Sequence, residues 1–185
     1  SKYREYAEGE AYSPIVAAGP NGALPHAIPT DREFKEGDFI VIDAAAKYGG
    51  YHADMTRTPV VKKATDRHHE IYSIVKEAQK RGCDAAKSGV KCKVVDAVTR
   101  DYITDKGYGD YFTHGTGHGL GLEIHTTPRF SPKSEEVLET NNVMTIEPGI
   151  YIAGWGGVRI EDDVIIKDNN CEILNKTTKE LVEIN

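Results

Sequence analysis

Two stretches of the chain alternate or run apolar with the rhythm of strands, and the region between them has the rhythm of helices. The first, DFIVIDAAAKYGGYHADMTRTPVV (residues 38–61), is two apolar, β-branched runs around YGGY, and the second, VMTIEPGIYIAGWGGVRIEDDVIIK (residues 143–167), repeats the design around AGWGG. Apolar runs broken by glycines at a bend predict β-hairpins. From about Thr65 to Lys87, Ile71, Ile74, Val75 and Ala78 recur at helical spacing and Ser88-Gly89 ends the run. A second helix is predicted from about Lys93 to Lys106, with Val94, Val95, Val98 and Tyr102 on one face, a solvated charged face opposite, and Gly107 as its stop. The first thirty residues, rich in Gly, Pro and Asn, predict irregular structure. The order is hairpin, two helices, hairpin, with no linker between them, which implies one α+β domain built on an internal duplication.

The hairpins place acids awkwardly. A bend at Tyr48-Gly49 sets Asp43 opposite Asp54, and a bend centred on Gly154 sets Glu147 opposite Glu161. Directly opposed residues have Cβ atoms about 4.5–5.5 Å apart, where like charges repel. All four lie among apolar neighbours, and burying an unpaired carboxylate is costly. A shared cation removes the conflict. The registers can shift at a bulge, but the argument needs only that each pair converges. Seven histidines occur, three of them within the twelve positions of HGTGHGLGLEIH (residues 114–125), and His118 in that Gly-rich segment is the candidate fifth ligand. Four carboxylates and one neutral imidazole carry a formal charge of −4, which two divalent ions offset. An oxygen-rich set with one nitrogen suits Mn(II), Co(II), Fe(II) or Zn(II).

Composition narrows the class without naming the chemistry. The 185 residues suffice for one hydrophobic core, with 39% hydrophobic and 28% charged residues and a mean hydropathy of −0.49. A net charge of −6 and pI near 5.6 argue against a nucleic-acid or anionic-membrane partner, and no apolar run is long enough to span a bilayer. Three cysteines, Cys83, Cys92 and Cys171, without a CxxC pair, suit a reducing compartment. With no signal-peptide pattern in SKYREYAEGE, the expectation is cytoplasmic.

The segments VAAGPNGALPHAIPTD, IDAAAKYGGYHADMTRT, HGTGHGLGLEIH, TIEPGIY and VRIEDDV, in that order, resemble the successive signatures of the pita-bread metallopeptidases. That family includes methionine aminopeptidase, aminopeptidase P and prolidase. The resemblance runs from about residue 13 to the C-terminus. It implies the creatinase/aminopeptidase fold, a curved antiparallel sheet with helices on its outer face and a pseudo-two-fold axis. It also implies two bound divalent ions, with manganese or cobalt ahead of zinc or iron. Asp43 would be a terminal ligand, Asp54 and Glu161 bridges, and His118 and Glu147 the rest of the first metal's shell. Glu147 would also be the general base, acting on a water or hydroxide held between the metals. His26 would assist proton transfer, His125 would hydrogen-bond the scissile carbonyl, and His114 and Arg159 would contact substrate. His52, His68 and His69 match no ligand position and are expected at the surface.

VRIEDDV, with Glu161 followed by two aspartates, and HGTGHGLGLEIH resemble the prolidase and aminopeptidase P branches. The implied reaction is cleavage of the Xaa-Pro bond of a dipeptide or a peptide N-terminus. The implied partner is a small peptide with proline second, and full-length relatives imply a homodimer. A methionine aminopeptidase and a peptide-binding module with weak or lost chemistry remain the alternatives. Ala45 replaces the family's usual glycine, and Thr126 replaces the usual acid after His125. The family's first helices and N-terminal domain have no counterpart here, so residues 1–185 are expected to be the catalytic domain of a longer chain.

Overall fold

A computed structural model describes residues 3–185. The first hairpin builds on a central strand, Ile40–Asp43, flanked antiparallel by Ile15–Ala18 and Thr56–Arg57. Its far end continues as Ala46–Tyr48 and Tyr51–His52, with Gly9–Glu10 along the outside. The tight turn is Gly49-Gly50, with φ of 58° and 80°, not the expected Tyr48-Gly49. A two-residue turn that matches strand twist needs positive φ at both positions, and two adjacent glycines supply it more cheaply than tyrosine-glycine. The register therefore moves by two residues: Asp43 pairs with Thr56, and Asp54 lies diagonally from Asp43. Because side chains alternate with period two, a two-residue shift leaves both acids on one face.

The second hairpin keeps the expected register. Gly149–Ile152 pairs with Gly156–Arg159, and beyond a break Val143–Ile146 pairs with Asp162–Ile166 in the same register. Glu147 and Glu161 occupy the break, facing each other between the two ladders. Pro148, which has no N–H to donate, stands where the first ladder stops. The inner ladder extends into a five-stranded sheet, ordered Cys171–Ile173, Asp162–Ile166, Val143–Ile146, Gly117–Gly119, Thr126–Phe130.

The helices run Asp66–Ala85 and Cys92–Asp105. The longer one starts at Thr65 with a capping box in which His68 takes the place of the usual Glu or Gln. His68 is therefore not at the surface as expected. It is buried against Phe39 and Trp155, and its Nε2 donates to the Gly37 carbonyl. Ile71, Val75 and Ala78 are fully buried against the sheet's outer face, with Ile150, Val158 and Ile160 in the same cluster. Burial of such side chains contributes about 1.5–3 kcal/mol each. Gly82 lets the helices close: a Cβ there would stand 2.9 Å from both Ile146 and Thr99 side chains.

The second helix is rotated from the predicted face. Val94 is exposed, while Cys92, Val95, Asp96, Thr99 and Ile103 are buried. The buried Asp96 is satisfied by Arg100 and by the Thr116 N–H and hydroxyl, both at 3.0 Å. A charged position read as solvated is thus the anchor of the segment that carries the site's histidines. No helix among the described residues is long and apolar enough to cross a membrane.

Candidate metal centre

The two hairpins and the Gly117–Gly119 strand open onto one cavity of about 340 Å³. Asp43, Asp54, His118, Glu147, Glu161, His26, His114, His125 and Arg159 all line it. Five segments far apart in sequence therefore converge. Asp54, His118 and Glu161 each offer a ligand atom, all within 4.8 Å of one another. His118 Nε2 lies 3.6 Å from Asp54 Oδ2 and 3.3 Å from Glu147 Oε1.

Local chemistry orients each of these groups. His118 Nδ1 lies 3.0 Å from the Gly119 carbonyl, so it carries the hydrogen and leaves the Nε2 lone pair toward the acids. The His118 N–H donates to Thr145 Oγ1 at 3.0 Å, and that hydroxyl donates on to Glu147 Oε1 at 3.2 Å. Gly117 permits this approach, because a Cβ on it would fall 2.0 Å from the Thr145 carbonyl oxygen. The Glu147 N–H donates to Thr116 O at 2.8 Å, tying it to the Asp96 anchor. Thr56 donates to Glu161 Oε2 at 2.5 Å, and the Asp54 N–H to Asp163 Oδ2 at 2.9 Å.

Arg159 is 3% exposed and spends its donors on the protein itself. It reaches Asp43 Oδ2 at 2.6 Å, Thr56 Oγ1 at 3.1 Å, Tyr151 Oη at 2.9 Å and the Pro25 carbonyl at 3.3 Å. His114 is engaged at both nitrogens, with Nδ1 on the Gly115 carbonyl and Nε2 on Tyr151 Oη. His26 and His125 are exposed on the cavity wall, with the His125 ring edge-on to His118 at 4.4 Å between centroids.

Gathering these acids has an electrostatic cost. Burial, reinforced by Asp43 and opposed by the Tyr12 hydrogen bond and Arg159, pushes Asp54 up to about 7. Burial, with Asp54 and Asp43 adding to it against Arg159, takes Glu147 to about 8. Burial and the neighbouring carboxylates hold Glu161 well above the usual range. Burial drives His118 the other way, to about 4, so its imidazole is neutral at physiological pH. Carboxylates reluctant to ionise beside a neutral, correctly oriented imidazole are what a dication would satisfy. The donor set fits hard or borderline divalent ions.

Sequence reading passed over several groups here. The Tyr12 hydroxyl lies within hydrogen-bond reach of both Asp43 and Asp54, Thr56 and Thr145 donate to the Glu161 and Glu147 carboxylates, and Arg129 brings an exposed cation to the cavity. The threonines alternate with the acids along their strands, which is the one signal that could have found them. Nothing in the sequence marks Tyr12.

The chain matches the model of metallopeptidase family M24 over residues 1–168. It is 50% identical over 176 residues to the Xaa-Pro dipeptidase of Pyrococcus furiosus, covering 95% of this chain and 51% of that protein. The crystal structure of X-Pro aminopeptidase from Thermotoga maritima superposes with a TM-score of 0.95 at 45% identity, covering 98% of this chain and 51% of that one. Zinc-substituted aminopeptidase P of E. coli, in complex with product, gives 0.83 at 30% identity, covering 92% and 45%. The pita-bread fold expected from the sequence is the one adopted, and the resemblance lies with the proline-specific branches. The chain spans about half the length of the relatives it matches.

Proposed function

The chain belongs to metallopeptidase family M24, and from that premise we propose that it carries the dinuclear metal centre of an exopeptidase that cleaves Xaa-Pro bonds. The observation that carries this reading is the convergence of Asp43, Asp54, His118, Glu147 and Glu161 on one cavity, where burial opposes the ionisation of Asp54, Glu147 and Glu161. These five residues would hold two divalent ions, manganese or cobalt before zinc or iron. When bound, such a pair supplies Lewis-acid polarisation of the scissile carbonyl and lowers the pKa of the attacking water.

The chain's own residues do the rest. Glu147 Oε1, within 3.3 Å of His118 Nε2, takes the proton that the attacking water loses. Partial desolvation, with Arg129 and His26 nearby, lowers the His125 pKa, and its ring N–H donates to the carbonyl oxygen as charge develops there. His26, which also lines the cavity, returns a proton to the leaving nitrogen. Arg159 keeps its charge, because Tyr151, Asp43, Glu161 and Glu147 together outweigh the burial that opposes it. It meets substrate through the cavity wall it forms, while its hydrogen bonds fix Asp43. His114, locked between Gly115 and Tyr151, bounds the cavity toward the substrate's carboxyl end. An Xaa-Pro bond lacks the N–H by which strand-binding peptidases grip their substrates, so a site that acts on the carbonyl suits it. Arg129 offers a counter-ion for a free carboxylate, which favours dipeptides.

The test is a screen of the manganese- and cobalt-reconstituted chain on Xaa-Pro dipeptides, longer Xaa-Pro peptides and Met-Gly peptides. Cleavage of Xaa-Pro substrates is expected. Cleavage of Met-Gly alone would assign it to the methionine aminopeptidase branch, and metal binding without turnover would make it a peptide-binding module.

A further inference from the structure

Tyr12 reaches the metal centre from a segment that precedes the first core strand. Ala11 donates to the Ala45 carbonyl at 2.8 Å, and Ile15 pairs with Asp43. Residues 12–14 therefore stand against the single residue Ala44. An insertion of this kind bends the strand and re-aims a side chain, and Pro14 within it has no N–H to return to the ladder. The side chain so re-aimed is a phenol on the cavity wall. Its hydroxyl donates in a short hydrogen bond to Asp43 Oδ1 and lies 2.6 Å from Asp54 Oδ1.

Those two aspartates need something to join them. They belong to opposite limbs of the hairpin, with Thr56 rather than Asp54 facing Asp43. Diagonal neighbours across an antiparallel pair are about 7–8 Å apart, too far for their side chains to be held together by register alone. Arg159 secures Asp43 Oδ2 only, and Asp163 secures the Asp54 backbone only. Among the described residues, the Tyr12 hydroxyl is the one side-chain donor that touches both carboxylates.

We propose that Tyr12 is a positioning residue of the metal centre: its hydroxyl draws Asp43 and Asp54 into one site and sets the affinity for the cation they share. The proposal rests on the ligand set assigned above. Partners that orient ligands typically change metal affinity by 10–100-fold when removed. A purely packing role would leave that affinity alone, since Tyr12→Phe keeps the ring.

The experiment is calorimetric titration of Mn(II) into the metal-free chain and its Tyr12→Phe variant, paired with the visible absorption spectrum of the Co(II) forms. Tyr12→Phe is expected to weaken one of two Mn(II) equivalents by about 10–100-fold and to shift the Co(II) bands. The metal-free melting temperature should stay within about 5 °C of the parent. In a cycle with Asp43→Asn, the loss should be smaller in the double variant than the two single losses added together. Equal Mn(II) affinity with an unchanged Co(II) spectrum would overturn the role of Tyr12 and leave the ligand set standing. A parent chain that binds no Mn(II) would overturn the ligand set and this inference with it.

Discussion

In the proposed centre Glu147 would serve two demands through one carboxylate, as a metal ligand facing His118 and as the acceptor of the attacking water's proton. Glu147→Gln keeps the shape, removes the charge and cannot accept that proton. Turnover on an Xaa-Pro substrate is expected to fall by at least about 10²–10⁴-fold, the range for general acid–base contributions alone, with weaker metal retention as well. His26 gives the contrast. It lies exposed on the same wall but outside the cluster of ligand atoms, so His26→Ala should lower turnover while two metal equivalents stay bound. Kinetics alongside metal analysis of both variants separates the roles. Metal lost from His26→Ala would remove that residue from the proton-transfer role. His114 and Arg159 differ again, because their donors and acceptors are already committed within the protein, and sequence cannot report such commitments.

The elements were legible to different depths, for reasons that lie in backbone geometry. Glu147 and Glu161 could be paired from the sequence because the bend around Gly154 fixes a register that is the same on either side of both acids. In the first hairpin YGGY offers two neighbouring bends, and only the φ angles choose Gly49-Gly50 over Tyr48-Gly49. Either bend leaves both aspartates on one face, because a two-residue shift preserves the face. The second helix was harder. Its apolar positions, Val94, Val95 and Val98, suggested one face, but the partners that bury Asp96 come from Arg100 and the distant Thr116. Gly117 belongs to the same junction, and its lack of a side chain is what lets strand 117–119 lie against Thr145. Gly117→Ala should cost about 1–3 kcal/mol by overpacking, and should weaken metal binding by displacing His118. Gly121→Ala, where a Cβ would meet nothing within 4 Å, should stay within about 0.5 kcal/mol of the parent. Denaturant melts and Mn(II) titration of both variants check this, and equal behaviour would remove Gly117 from the account.

For the molecule as a whole, the proposed metal centre should make stability depend on pH in opposite senses with and without cations. In the metal-free chain, burial raises Asp54 to about 7 and Glu147 to about 8, and holds Glu161 well above the usual carboxylate range. In the unfolded chain, these groups return to about 4. Between those values the folded form holds more protons than the unfolded form, so its stability falls as pH rises. The contribution is fully present below about pH 4 and is lost as pH passes upward through 7 to 8. Cations act the other way. They require ionised carboxylates, so protons compete with them, and their stabilisation grows as the acids ionise. An ion at 100 times its dissociation constant adds about 2.7 kcal/mol. The melting temperature of the metal-free chain should therefore decline from pH 5 to pH 8, while that of the Mn(II)-loaded chain holds or rises, and the gap between them should widen. The same series on Glu161→Gln, which removes one of the proposed ligand charges, should show a smaller gap at pH 8. A gap that is constant across the range would mean that the acids are already ionised in the empty site. The cluster would then have to be balanced by the protein's own cations, above all Arg159, rather than by metal.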